Sequence, residues 1–467
     1  MKIRKTIIRT IAFLLVLMIA VFAIPGRILG VSTPGNYGRV KGFYAERPGS
    51  LDAVFIGASN VHSFWQPAIG WQTQGIAVYN LSFDSMPIMC VRYLIEEARK
   101  KQPNALYIIN LNNYKSRPAA DELERFHGIV DYMPLSLEKI RFIKEIAAQS
   151  GFSTGEQLEL LLPFIRFHSR WSSLQSWSYG TRETKYKGSL TKKDYFRSVV
   201  DASTAFKVYS DARTEPKEDV MQVFTDLLDY LDREHVNALF VKVPQAVRKD
   251  FQGRMNVLEA LLKSRGYPCL DMMNDYEAYG LNPRRDFYNT YHTNVRGAYK
   301  LTEYMADYLV ANYHFADKRG QADYADWDEA SREYDRLIDS WILPFEREAN
   351  LWRDLPAPKI KEAKAEGAGI QLTWRASNGA DGYVIYRKTS QENDGHWKLL
   401  ATVGADALSY MDEDLSANIR YTYCVAPFVD ADGQKAYGNY DIKGASCTSP
   451  KELRQSSAEE KTGGDGN

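Results

Sequence analysis

Two short stretches carry residue types that do covalent chemistry when a fold brings them together. "FIGASNVHSFWQP" (Phe55–Pro67) ends an apolar run in Gly-Ala-Ser, and "DFYNTYHTNVRG" (Asp286–Gly297) places a histidine just before an amphipathic helical pattern. A serine attacks an acyl carbon only when a base takes its proton and hydrogen-bond donors receive the oxyanion. Ser59 and His292 are the candidate pair for that chemistry. The competing reading makes Ser59 an ordinary helix N-cap, its hydroxyl accepting from a backbone N–H, and His292 a structural histidine. The four cysteines lack metal-ligand spacing, and no P-loop, HExxH or dinucleotide fingerprint occurs, so neither metal nor cofactor is expected. Cys90 and Cys269 lie in apolar surroundings. Cys424 and Cys447 are expected on adjacent strands, which leaves a disulfide between them open in an exported protein.

Such a pair works only if a scaffold holds it. With 467 residues the chain is too long for one ordinary domain, and its 45% hydrophobic and 25% charged content is globular. Lys plus Arg equals Asp plus Glu at 59 each, which gives no support to a nucleic-acid partner held by bulk charge. Residues 51–57, 76–81, 105–111, 237–244 and 269–272 are short apolar runs without polar alternation, the pattern of strands buried on both faces of a parallel sheet. Helical spacing over 89–101 and 217–234 lies between them. The expectation is an α/β domain over residues 40–312, a three-layer doubly wound parallel sheet with ligands at the carboxyl ends of its strands. Ser59 falls just past the first strand, where a ligand would sit.

Residues 114–216 are too long for a plain connection and read as a helical insertion, either a cap over a cleft or simple packing. One helix is expected to start near Ser136. Within the insertion "HSRWSSLQSWSYG" offers Trp171, Trp177 and Tyr179, which would stack on sugar rings or else form buried core. Residues 313–355 read as a helical extension packed beside the α/β domain and a proline-rich linker, "LPAPK". Over 356–449 the period changes to short strands bounded by Gly, Asn, Asp and Ser, and residues 450–467 have the composition of a disordered tail.

At the other end, Lys2, Arg4, Lys5 and Arg9 precede a charge-free apolar run from Ile11 to Gly26. A basic flank before an apolar run stays on the cytoplasmic side, so residues 1–30 read as a single-pass anchor or a signal segment cleaved after Val21-Phe22-Ala23. Either way the body is expected to be extracytoplasmic, tied to the cell membrane if the segment is kept.

Trp374, the "GYVIYR" strand with Tyr383 and Tyr386, and Tyr421-Thr422-Tyr423 before Val425 make the C-terminal segment resemble a fibronectin type III domain. "GASNVHSFWQP" and "HTNVRGAYKLTEYMADYL", together with "MPLS" and "IRFHSRW" between them, resemble the SGNH/GDSL hydrolase superfamily over about residues 40–345. The likeness is closest to its membrane-anchored branch, which includes the teichoic-acid D-alanine transfer protein and alginate-type O-acetylation proteins. The resemblance implies Ser59 as nucleophile and His292 as general base, with oxyanion donors from the backbone of Ser82 and the side chain of Asn112. It also implies an acidic residue three positions before the histidine, where this chain has Asn289. Asp286, three residues further upstream, is the possible substitute; otherwise the base is oriented by a neutral amide or the site is degenerate. Two functions follow. One is an exported serine esterase or O-acyltransferase acting on cell-envelope polysaccharide, with an acyl donor or a membrane-bound O-acyltransferase as partner. The other is a degenerate relative that binds envelope glycans or an assembly partner.

Overall fold

The computed structural model describes residues 2–28, 34–113, 123–167, 172, 186–194, 210–246, 249–274, 276, 278–348, 351–389 and 396–451. Two compact units divide it, Met1–Ser331 and Arg332–Asn467.

The first unit is built on β1 (Ala53–Gly57), β2 (Val78–Ser82), β3 (Leu106–Asn110), β4 (Ala238–Lys242) and β5 (Cys269–Asp271), in spatial order β2-β1-β3-β4-β5. Every pairing is parallel. β1 to β4 are buried at every position, which explains their unbroken apolar character. Alternate residues serve two separate cores. Val54, Ile56, Tyr107, Ile109 and Phe240 face one layer, with Leu94, Phe142, Phe224 and Leu258 from its helices. Phe55, Val78, Leu106, Ile108 and Leu239 face the other, with Val61, Phe64, Leu301 and Met305. The chain therefore forms a three-layer doubly wound α/β domain. Its strand order reverses between β1 and β3, so a crevice is expected beyond the carboxyl end of β1.

The first helices are α1 (Lys2–Ile28), α2 (Pro34–Ala45) and α3 (Ser59–Phe64); α3 and, later, the long helix Val295–Tyr313 are the ones that border that crevice. Within the insertion, the helix Leu137–Ser150 begins where expected: Ser136 caps it, accepting from the backbone N–H of Lys139 at 3.1 Å. Trp171, Trp177 and Tyr179 lie outside the described residues. The side chains described in α1 include exposed Ile8, Ile11, Phe13, Leu14 and Val16. Among the described residues, no helix is long and apolar enough to cross a membrane.

The second unit is an antiparallel sandwich. One sheet joins Ile360–Glu366, Gly369–Trp374 and Ser409–Asp412; the other joins Gly382–Thr389, Lys398–Gly404, Arg420–Ala431, Gln434–Tyr437 and Ala445–Thr448. Ile370, Leu372 and Trp374 meet Tyr383, Ile385, Tyr423 and Val425 between the sheets. The outer face of the larger sheet is covered by Leu343 and Phe345. That part of the 313–355 extension therefore packs on the sandwich, where the sequence suggested the α/β domain. Inside this unit Asp412 is buried and accepts from the Arg387 guanidinium at 2.9 Å and the Tyr423 hydroxyl at 2.7 Å.

All four cysteines are free thiols. Cys447 lies opposite Tyr421, whose side chain belongs to the inter-sheet core, while Cys424 points into the core on the other face. Strand alternation thus places the two sulfurs on opposite sides of one sheet, and no disulfide joins them.

Candidate active site

Three strand ends lie level at the carboxyl edge of the sheet, because Gly57 pairs with Ser82 and the neighbouring β1–β3 register ends at Ile56 and Ile109. Gly57 is needed there: a Cβ would stand 2.5 Å from Val61 Cγ2 and 2.6 Å from Asn110 Cβ. The chain then turns through Ala58 into α3. Ala58 is the N-cap and carries no side-chain cap, and Ser59 is the first helical residue. Its hydroxyl lies 2.8 Å from His292 Nε2. Ser59 is thus not the cap of this helix.

His292 is delivered by a two-stranded hairpin, β6 (Phe287–Asn289) with β7 (His292–Thr293), whose register sets Asn289 opposite His292. Asn289 Oδ1 lies 2.8 Å from His292 Nδ1 and also accepts from the backbone N–H of Tyr291 at 2.9 Å. The second bond decides the first. A backbone N–H can only donate, so the oxygen of the amide must occupy that position. His292 Nδ1 therefore carries the proton, and Nε2 is left as the acceptor facing the Ser59 hydroxyl. The imidazole stacks on Tyr288, with ring centroids 5.3 Å apart and planes 9° from parallel. Burial lowers the His292 pKa from its ordinary value of 6.5, and the Asp84 carboxylate opposes that shift.

The following residues explain the rest of the "HTNVRG" stretch. Thr293 donates to the Ser63 carbonyl at 2.7 Å, fastening the hairpin to α3. Asn294 caps the helix Val295–Tyr313, accepting from Arg296 N–H at 3.0 Å. Gly297 admits the passing backbone: a Cβ there would stand 2.3 Å from the Asp286 carbonyl oxygen. Residues of the insertion also brace the site, since the Leu190 N–H donates to the His62 carbonyl of α3 at 2.8 Å and the Lys192 carbonyl accepts from the Val295 N–H, at the start of the long helix, at 2.7 Å.

Asp286 does not orient the base. It is buried, and its carboxylate accepts from Lys300 Nζ at 3.0 Å and from Asn282 N–H at 2.7 Å, while the His292 Nδ1 position is held by Asn289. Asn112 is likewise occupied elsewhere. Its Nδ2 donates to the Val243 carbonyl at 2.6 Å and its Oδ1 accepts from Val243 N–H at 2.9 Å, a clamp on the end of β4. The amide beside Gly57 belongs to Asn110, which donates to Asn60 Oδ1 at 2.7 Å; Asn60 in turn donates to Gln245 at 3.3 Å. Ser82 ends β2 as expected, but its hydroxyl meets His62 Nδ1 at 3.1 Å. Sequence reasoning missed Asn60, Asn110, His62 and Asp84. His62 was within reach of it, being one helical turn beyond Ser59; Asn110 needed the register of β3.

No family model matches this chain, and no curated protein matches it. Likeness to solved structures is local. A β-1,2-glucanase from Parabacteroides distasonis is 23% identical over 21% of this chain and 13% of that one, with a TM-score of 0.17. The chain thus spans a small fraction of that enzyme's length. An FN3 domain of human collagen XX is 22% identical over 22% of this chain and 99% of its own, with a TM-score of 0.17. A further structure, FN3tt mut, is 25% identical over 20% of this chain and 92% of its own, with a TM-score of 0.16.

Proposed function

We propose that the protein is a serine-dependent acyl-ester enzyme of the SGNH type, an esterase or O-acyltransferase. The observation that carries this reading is the hydroxyl of Ser59 at 2.8 Å from His292 Nε2, with Nδ1 of the same ring held by Asn289 at 2.8 Å. His292 takes the Ser59 proton as the oxygen attacks the acyl carbon and returns it to the leaving oxygen. It then deprotonates water, giving hydrolysis, or a sugar hydroxyl, giving transfer, as that oxygen attacks the acyl carbon, and it returns the proton to the Ser59 oxygen as the acyl–serine bond breaks. In this reading the oxyanion is met by backbone N–H groups at the ends of β1 and β2 and by the Asn60–Asn110 amides, in place of Asn112.

A neutral third member is the main objection. In a serine protease, exchanging the triad carboxylate for an amide costs about 10⁴ in turnover because the histidine takes the wrong tautomer. Here the Tyr291 N–H turns the amide oxygen toward the ring, so the tautomer suits a base and only the missing charge remains as a penalty. The basic-flanked apolar run at residues 2–28 supports export, with the body outside the cytoplasm and cell-envelope polysaccharide as the acyl acceptor or substrate. The sandwich unit is read as a fibronectin type III-like module. The alternative, a degenerate site that binds envelope glycans or an assembly partner, is favoured by Asn289 and by the fibronectin-like module. The test is steady-state hydrolysis of a small activated acyl ester by the full chain. Turnover that disappears in Ser59→Ala and His292→Ala supports the enzyme; absence of turnover, or turnover indifferent to both changes, supports the binding protein.

A further inference from the structure

We propose that Asp84 supplies the negative charge that Asn289 lacks, acting on His292 from the loop that follows β2. This deepens the acyl-enzyme reading and rests on it. The placement follows from the sheet. Gly57 and Ser82 are partners in the parallel β1–β2 register, and Ser59 and Asp84 each lie two residues beyond their strand's partner. Neighbouring strands are about 4.8 Å apart, so the two loops rise side by side. The Phe83 N–H ties them, donating to the Gly57 carbonyl at 3.1 Å.

His62 stands between. It is fully buried on α3, one turn beyond Ser59, with Nε2 3.6 Å from Asp84 Oδ1 and Nδ1 3.1 Å from the Ser82 hydroxyl. A carboxylate accepts only, so its side favours a proton on Nε2 of a neutral ring. Nδ1 is then the acceptor, and the Ser82 hydroxyl donates to it. Burial, Arg39 and His292 all hold the His62 pKa well below its ordinary value, so this ring stays neutral and does not compete with the imidazolium for Asp84. Protonation of His292 during attack thus occurs within the field of the Asp84 carboxylate, which it shares with the Arg39 guanidinium on α2.

Among the described residues, the groups that act on His292 are Ser59 and His62 from α3, Asn289, Tyr288 and Tyr291 from the hairpin, and Asp84 from the β2 loop. Arg39 on α2 lowers the His62 pKa, and the Asp84 carboxylate in turn raises that of Arg39 against the effect of burial. Asp84 is the one carboxylate in this set. It touches no reacting atom, so it is a positioning residue for charge. The Asp84 side chain is 59% exposed, which limits the effect and makes it sensitive to salt.

The sign is fixed by the charge. Removing it destabilises the imidazolium, lowers the His292 pKa further, and moves the acid limb of kcat/KM to lower pH. The experiment compares the full-length wild type with Asp84→Asn and Asp84→Glu at low and high salt. Two readouts are taken: the pH profile of kcat/KM on an activated acyl ester, and NMR titration of the His292 ring, assigned by its loss in His292→Gln. Asp84→Asn is expected to lower kcat/KM about 2- to 5-fold at low salt and to lower the His292 pKa by roughly 0.3–0.7 units. Asp84→Glu should restore both, and molar salt should shrink the difference. An unchanged His292 titration in folded Asp84→Asn overturns the proposal, as does a loss of rate with no shift of the acid limb. If the wild type turns over no ester, the serine reading fails, while the NMR titration still decides whether Asp84 acts on His292.

Discussion

Asn289→Asp separates the two functions of a triad's third residue, orientation and charge. In the wild type Oδ1 already accepts from both Tyr291 N–H and His292 Nδ1, so the aspartate can keep both bonds without moving the hairpin. What changes is the charge opposite the ring. A neutral hydrogen bond contributes about 0.5–1.5 kcal/mol and one to a charged partner about 1.5–3. The carboxylate should therefore stabilise the imidazolium-like transition state by about 1–1.5 kcal/mol more than the amide, which is about 5- to 10-fold in kcat/KM. It should also raise the His292 pKa, countering the burial that now lowers it, so the acid limb moves to higher pH. The assay is the pH profile of kcat/KM on an activated acyl ester, with Asn289→Ala as the control that removes orientation as well. A rate that falls in a folded Asn289→Asp, or rises with no change in the acid limb, would refute the assignment of Asn289 as the residue that orients the base.

Three further outcomes follow from the same geometry. Gly57→Ala should lower stability by about 1–3 kcal/mol in chemical denaturation, because the new methyl meets Val61 and Asn110 at 2.5 and 2.6 Å. Asp286→Asn should cost about 1.5–3 kcal/mol by removing the charge that accepts from Lys300 Nζ, yet leave the acid limb of the folded fraction in place; a shifted limb would return Asp286 to the site. Stability should fall as pH drops below about 6.5, because the unfolded chain binds protons that buried His62 and His292 resist; its contribution is complete above the unfolded pKa. Thermal melts of the wild type and His62→Gln across pH 5–8 check this, with the variant expected to lose part of the acid sensitivity.

The α/β architecture was legible because β1 to β4 are buried on both faces and read as unbroken apolar runs between helical patterns. Ser59 and His292 were legible because each closes a recognisable local form, a strand-to-helix turn and a helix entry. The remainder of the site depends on register and on which way a side chain turns. Asn110 and Asn112 are two residues apart, and only the clamp of Asn112 on Val243 shows that Asn110 is the one beside Gly57. Asp286 resembles a triad acid in sequence, but Lys300, a turn into the following helix, claims it. Asp84 has no sequence signal linking it to His292, because the link is the pairing of two strands. The free state of Cys424 and Cys447 likewise follows from strand alternation across a register that composition does not disclose.

The most direct test of the central claim is covalent labelling of the folded full-length protein with a fluorophosphonate, with the adduct located by mass spectrometry. A serine beside a base and an oxyanion pocket reacts far faster than ordinary surface hydroxyls. A single adduct is expected on the peptide containing Ser59, absent in Ser59→Ala and formed more slowly in His292→Ala. No adduct on the folded wild type, or one whose rate is indifferent to His292, would contradict that claim.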